Sequence, residues 1–129
     1  MIRVKRVYEA PSREDGFRVL VDRLWPRGVS KAKAKVDEWM KDVAPSTALR
    51  QWYSHEPAQW GEFRARYKAE LAGRGELLTR LRDLEAAHKT LTLLFSSRET
   101  KLNNAAALAE LLLAQKKRPA AKARTKKQA

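Results

Sequence analysis

The chain has 129 residues, no cysteine, and 28 lysines and arginines against 15 acidic residues, which gives a net charge of +13. This length accommodates one domain, and the lack of cysteine excludes disulfides, thiol nucleophiles and cysteine-ligated metal centres. The first residues lack the apolar segment of a signal peptide, and no apolar run approaches the roughly 20 residues of a membrane helix. We therefore expect a cytoplasmic protein with no membrane contact.

The first two predicted strands lie close together in the sequence. Residues 2–8 alternate apolar and basic side chains, which predicts a half-buried strand, and the apolar residues 19–21 predict a second, buried one. The loop between them ends in the turn pair Asp15-Gly16. Because this loop is short for a helical crossover, the sequence leaves open whether these strands pair parallel, antiparallel or not at all.

Helical periodicity dominates the rest of the chain. The first predicted helix covers 31–44, with Ser30 as its cap and Pro45 at its end, and a short helix capped by Ser46 follows. A longer helix is predicted between Pro57 and Gly73, and another from about Leu77 to His88. A strand over 90–95 and a last helix over about 101–115, capped by Thr100 or Asn103, complete the domain. Strands separated by helices predict a helix-rich α/β domain with a small, largely parallel sheet over residues 1–115.

The last fourteen residues differ in composition from the domain. Residues 116–129 hold seven cations, no acidic residue and no apolar side chain larger than alanine, so we expect a disordered basic tail that carries about half of the net charge. A polycation of this kind attracts DNA or RNA with little sequence preference. The candidate nucleic-acid-binding residues are Lys116, Lys117, Arg118, Lys122, Arg124, Lys126 and Lys127.

Polar and cationic residues follow two of the predicted strands. The run over 19–21 leads into DRLWPRG, and the strand over 90–95 leads into Ser-Ser-Arg. Ligands bind at the carboxyl ends of strands in open α/β sheets, and the start of the following helix favours anions. The candidate anion-binding residues from these segments are Arg23, Arg27, Ser96, Ser97 and Arg98. A salt-bridged turn around Asp22, with both serines in structural roles, explains the same residues equally simply.

Only a few residues are candidates for catalysis. Asp22 is a candidate general base or nucleophile, and His55 lies in a loop between aromatic helices. His88 at a helix end is more simply a dipole-complementing residue. The two histidines have no metal-binding spacing and no dinucleotide or phosphate-loop fingerprint occurs, so we expect no metal and no cofactor.

The motif DRLWPRG, together with the segments around Trp39, His55, Phe63 and Ser96, resembles the YeaO-like branch of the bacterial family called domain of unknown function 488. The resemblance covers about residues 2–114 and implies one small α/β domain, but no activity. The positions that it marks include Arg50 and Asn103, which join the candidate anion-binding residues. Family members often carry histidine at the position of Asn104, and its absence here weakens an enzymatic interpretation.

Two function hypotheses follow from these features. The first is an anion- or nucleotide-binding module, with a phosphate-bearing small molecule in the pocket and DNA or RNA on the tail. The second is a small metal-free hydrolase that uses Asp22 and His55 on a phosphate-bearing or glycosidic substrate. A structural or regulatory partner role is the third alternative, and the sequence leaves the oligomeric state open.

Overall fold

The computed structural model describes residues 1–54 and 56–117, without the side chains of Lys116 and Lys117. Over these residues the strands are β1 (Ile2–Arg6), β2 (Phe17–Leu20), β3 (Glu38–Trp39) and β4 (Leu91–Phe95), and the helices are α1 (Lys31–Ala34), α2 (Thr47–Tyr53), α3 (Trp60–Ala72), α4 (Gly75–His88) and α5 (Asn104–Lys117). The predicted α/β class, with a small parallel sheet and more helix than strand, is confirmed.

The sheet order is β1-β4-β2-β3, and all neighbouring strands are parallel. The first two strands of the chain therefore do not pair with each other, because β4 lies between them. Leu93 is paired with Val4 on one side and with Val19 on the other. Every residue of β4 is buried, as is typical of a central parallel strand with both faces covered.

Each face of the sheet has its own apolar cluster. Alternate residues of β4 divide between them, since Leu91, Leu93 and Phe95 pack with α2–α5 whereas Leu94 packs against the segment around α1. Phe63 and Tyr67 on α3 are the largest fully buried side chains of the helical side. The predicted stripe on α3 is thus the centre of the main core.

The segment over 31–44 is not the single helix that its periodicity predicts. Helix α1 ends after Ala34, since Lys35 adopts a left-handed conformation (φ 48°). The chain then adds β3 to the edge of the sheet, where Asp37 N–H donates to Arg18 O (2.8 Å) and Met40 N–H donates to Leu20 O (2.9 Å). Hydrogen bonds to a strand almost 20 residues earlier outweigh the local helical preference.

Helix α5 also differs from its prediction. It begins at Asn104 rather than near Lys101, because Asn103 is its N-cap: the side-chain oxygen accepts the Ala106 N–H (2.8 Å). Leu113, predicted to be buried, is 40% exposed. The helix continues through Lys117, so the first two residues of the predicted tail have helical backbone.

A buried ion cluster forms beside the start of β2. The Asp15 carboxylate is fully buried and accepts hydrogen bonds from Arg18 (2.5 Å), Lys5 (3.1 Å) and the Ser12 N–H (3.0 Å). Burial opposes the charged form, but these donors outweigh it and hold the pKa of Asp15 below its usual value. Gly16 follows at φ +64°, where a Cβ would collide with the Thr90 carbonyl.

We predict that Asp15→Asn lowers the free energy of unfolding by about 3–5 kcal/mol at pH 7, because it leaves the buried guanidinium of Arg18 without its anion. Since the folded pKa of Asp15 is depressed, this contribution is complete above its unfolded pKa of about 4 and is lost as pH falls through the folded value. Urea unfolding at several pH values measures both effects. Glu14→Gln, a matched loss of charge at an exposed neighbour, should change stability by less than about 0.5 kcal/mol.

Candidate functional site

A cavity of about 410 Å³ opens at the carboxyl ends of β2 and β4. Its lining combines the segment 22–27 after β2, Ser96 and Ser97 after β4, and parts of α2, α3 and α5. The volume falls within the range of small-molecule sites, and the position is the one that open α/β sheets use for ligands. The two polar strand ends that the sequence marks therefore lie in one concave site.

The Asp22 carboxylate ties three elements together at the floor of this cavity. Its Oδ2 accepts hydrogen bonds from the N–H (2.8 Å) and the hydroxyl (2.9 Å) of Ser96, and its Oδ1 accepts one from the Asn104 amide (3.1 Å). The same amide donates to Val21 O (3.1 Å). Both carboxylate oxygens are thus engaged in structural bonds that join β2, β4 and α5.

Arg6, from the end of β1, supports the loop after β4. Its Nε donates to Ser97 O (2.9 Å) and its Nη2 donates to Ser96 O (3.2 Å). The Arg6 guanidinium lies over the Tyr8 ring, 4.5 Å from its centroid, and the Tyr8 hydroxyl donates to Arg27 O (2.8 Å). Neither Arg6 nor Tyr8 was among the site residues predicted from the sequence. Their position at the end of the first predicted strand was the one signal that could have indicated them.

The wall formed by residues 42–46 is held from behind by α3 and by Arg74, the residue before α4. The buried Tyr67 hydroxyl donates to Val43 O (2.6 Å), and burial raises the pKa of Tyr67. Arg74 Nη1 donates to Ala44 O (2.9 Å). Glu70 accepts from both the N–H (2.8 Å) and the hydroxyl (2.6 Å) of Ser46, which itself caps α2. These contacts fix the start of α2 relative to the cavity.

Aromatic rings form a second part of the lining. The Tyr53 and Phe63 rings are stacked with centroids 4.3 Å apart, and both residues are buried. Burial, together with the nearby Glu99, raises the pKa of Tyr53, whose hydroxyl donates to Leu102 O (2.9 Å). Trp25 closes the side near α1, and its indole donates to Val29 O (2.7 Å).

Three arginines line the cavity, namely Arg23, Arg27 and Arg50. Arg27 and Arg50 are exposed, and their guanidinium groups make no hydrogen bond or ion pair with the described residues. Arg23 is half-buried and donates one long bond, from Nη2 to Ala44 O at 3.4 Å. The cavity therefore carries three cations beside one carboxylate that already accepts three hydrogen bonds.

Two other candidates, Arg98 and Asn103, do not line the cavity. Arg98 is exposed. Asn103 is buried and uses its amide to cap α5 and to donate to Glu99 O (2.8 Å). His55 lies outside the described residues, as do residues 118–129 and the side chains of Lys116 and Lys117. Within the described part of the chain, no three acidic or histidine side chains cluster as a metal ion would require.

Comparison with known proteins places this geometry in a family. A family profile described as the inactive DUF488-N3 subclade matches residues 1–128. The chain belongs to this subclade. It is also 45% identical over 111 residues to the uncharacterized protein YeaO of Escherichia coli. The aligned region covers 86% of this chain and 96% of that protein. The uncharacterized proteins Mb3100c of Mycobacterium bovis and Rv3073c of Mycobacterium tuberculosis show the same identity and cover 92% of their own lengths.

The resemblance to the YeaO-like branch is therefore confirmed. No solved structure matches the chain. In this DUF488-N3 protein, the motif DRLWPRG forms the floor and one side of the cavity, which explains why acid, arginines and indole occur together. Among the described residues, no helix combines the length and the apolar character needed to cross a bilayer.

In the sequence, Asn104 stands out only as a departure from its relatives, whereas in the folded DUF488-N3 protein it is one of the donors that hold Asp22. We predict that Asn104→Asp lowers the free energy of unfolding by about 2–4 kcal/mol, because it removes two donated hydrogen bonds and places a second carboxylate beside Asp22. Denaturant unfolding at pH 7 measures the change. Asn104→Ala removes the donors without adding charge, and an equal destabilisation in both variants would show that repulsion contributes nothing.

Proposed function

We propose that this protein is a binding module that holds a phosphate-bearing small molecule, such as a nucleotide, in the cavity at the carboxyl end of the sheet. The observation that carries the proposal is the presence of two arginines, Arg27 and Arg50, that line the cavity without any partner among the described residues. Guanidinium groups bind phosphate through paired, charge-assisted hydrogen bonds. Two unpaired groups at one cavity supply such donors.

The apolar part of the lining supports a nucleotide over a smaller anion. Trp25 lines the cavity and is only half-buried, whereas Tyr53 and Phe63 are buried and stacked on each other, so the aromatic face open to a ligand is that of Trp25. Aromatic faces stack on nucleobases with little dependence on the base. A ligand with a phosphate at the arginines and a planar ring at Trp25 uses both kinds of lining.

The bonding of Asp22 favours binding over catalysis. Three hydrogen bonds from Ser96 and Asn104 occupy most of the acceptor sites of the Asp22 carboxylate and leave it little capacity to accept a proton from a substrate. The description of the matching subclade as inactive agrees with this argument. We therefore do not propose the hydrolase alternative, in which Asp22 acts with His55.

We predict that Arg27→Gln combined with Arg50→Gln weakens the binding of adenosine monophosphate at least tenfold, because each charge-assisted hydrogen bond that is removed contributes about 1.5–3 kcal/mol. Isothermal titration calorimetry at fixed ionic strength measures the dissociation constant. The matched control is Arg13→Gln combined with Arg98→Gln, which removes the same charge from exposed arginines outside the cavity. If both pairs weaken binding equally, the arginines act through net charge and not through the cavity.

We propose that the basic C-terminal residues add an interaction with DNA or RNA. The support is compositional: residues 116–129 contain seven lysines and arginines and no acidic residue. A segment of this composition binds the phosphate backbone with little sequence preference. Along the chain, helix α5 separates the cavity residue Asn104 from most of these cations.

We predict that exchanging Lys122, Arg124, Lys126 and Lys127 for glutamine removes most of the DNA affinity and flattens its salt dependence. Every phosphate that is no longer neutralised should reduce the slope of log affinity against log salt by about 0.9 on duplex DNA. Fluorescence anisotropy over a series of salt concentrations measures both quantities. A control with glutamine at four exposed cations of the domain, Arg13, Lys31, Lys33 and Lys68, should keep most of the affinity. The opposite result would assign DNA binding to the domain.

A further inference from the structure

Arg23 makes little use of its guanidinium, although part of that group is buried. Its Nε is buried and has no hydrogen-bond partner. Its Nη1 makes no hydrogen bond to the described residues, and its Nη2 makes only the 3.4 Å bond to Ala44 O. Burying polar donors without partners costs free energy, so this arrangement opposes folding.

Two other arginines beside the sheet use more of their donors. Arg18 is also buried, and it uses all three nitrogens: Nε on Lys35 O, Nη1 on Asp15 and Nη2 on Ala34 O. Arg6 uses Nε and Nη2 on two carbonyls of the loop after β4. The fold therefore provides acceptors where an arginine has a structural role, and the lack of them at Arg23 needs an explanation.

The potential acceptors near Arg23 are already occupied. The carboxylate of Asp22, its neighbour in the chain, accepts from Ser96 and Asn104 and forms no ion pair with Arg23. Ala44 O accepts a shorter bond, 2.9 Å, from Arg74. The interaction between Arg23 and Ala44 is thus weak, and breaking it costs little free energy.

We infer that Arg23 is the specificity-determining residue of the cavity, where it recognises the phosphate group of the ligand through a guanidinium that the protein itself leaves unsatisfied. This inference rests on the proposed function and adds the residue that selects for phosphate. When the ligand binds, the guanidinium leaves Ala44 and pairs with two phosphate oxygens. The ligand supplies the acceptors that the fold withholds, so the ligand-free protein is less stable than a variant without this group.

Arg23→Met tests the inference, because it keeps an unbranched apolar stem and removes the unsatisfied donors. The melting temperature of the ligand-free variant should rise by about 2 to 6 °C, and its affinity for adenosine monophosphate should fall by about 10- to 100-fold. Arg23→Lys keeps the charge without the paired donors and should also bind more weakly than the native chain. Arg74→Met removes a guanidinium whose Nη1 donates to Asp42 O (2.6 Å) and to the same Ala44 carbonyl (2.9 Å), and it should lower the melting temperature.

Different results contradict the inference and the proposed function. The inference is overturned if Arg23→Met melts at or below the native temperature, which would make Arg23 a structural residue, or if it binds adenosine monophosphate as tightly as the native chain. The proposed function is overturned if the native full-length chain binds neither adenosine monophosphate nor inorganic phosphate, whatever Arg23→Met does to the melting temperature.

Nuclear magnetic resonance of the arginine Nε–H groups gives a second measurement that a purely structural role would not affect. The signal that disappears in Arg23→Lys belongs to Arg23. This signal should shift when adenosine monophosphate is added to the native protein, whereas the Nε–H signal of Arg18, whose acceptors lie within the protein, should remain in place. An Arg23 signal that does not respond to bound ligand contradicts the inference.

Discussion

The hydrogen bonds of the Asp22 carboxylate organise the part of the molecule in which the candidate site lies. They join the exit of β2 to the exit of β4 and to the first residue of α5, both of which lie more than 70 residues further along the chain. Because the direction of the chain after Asp22 is fixed in this way, Arg23 and Arg27 face the cavity. The acid of the motif DRLWPRG therefore positions its arginines.

The same bonds explain how a carboxylate can line a cavity that we propose to bind an anion. Three donors share the negative charge of Asp22, and hydrogen bonds to a charged group are stronger than those between neutral groups. The three arginines that line the cavity then meet no competing free acid among the described lining residues. A phosphate group placed there gains the cationic contacts without facing an unsatisfied carboxylate.

Stability and the proposed phosphate recognition are assigned to different arginines. Arg18 lies on the α1 face of the sheet in a cluster with Asp15 where every nitrogen has an acceptor, and Arg74 holds the wall at Ala44. Arg23, Arg27 and Arg50 line the cavity with few or no acceptors. Separating the two tasks lets the fold tolerate unsatisfied donors at one place, because the buried cluster and the apolar core stabilise the rest.

The sequence by itself determined the α/β class, the strands around Val19 and Leu93, the cap Ser46 and the meeting of two polar strand ends, because these follow from local periodicity, capping chemistry and the common direction of parallel strands. Only the tertiary structure decided that β4 separates β1 from β2, that residues 38–39 form a strand, and that Arg50 lines the cavity while Arg98 does not. These outcomes depend on hydrogen bonds and burial between residues distant in the chain, which no local pattern encodes.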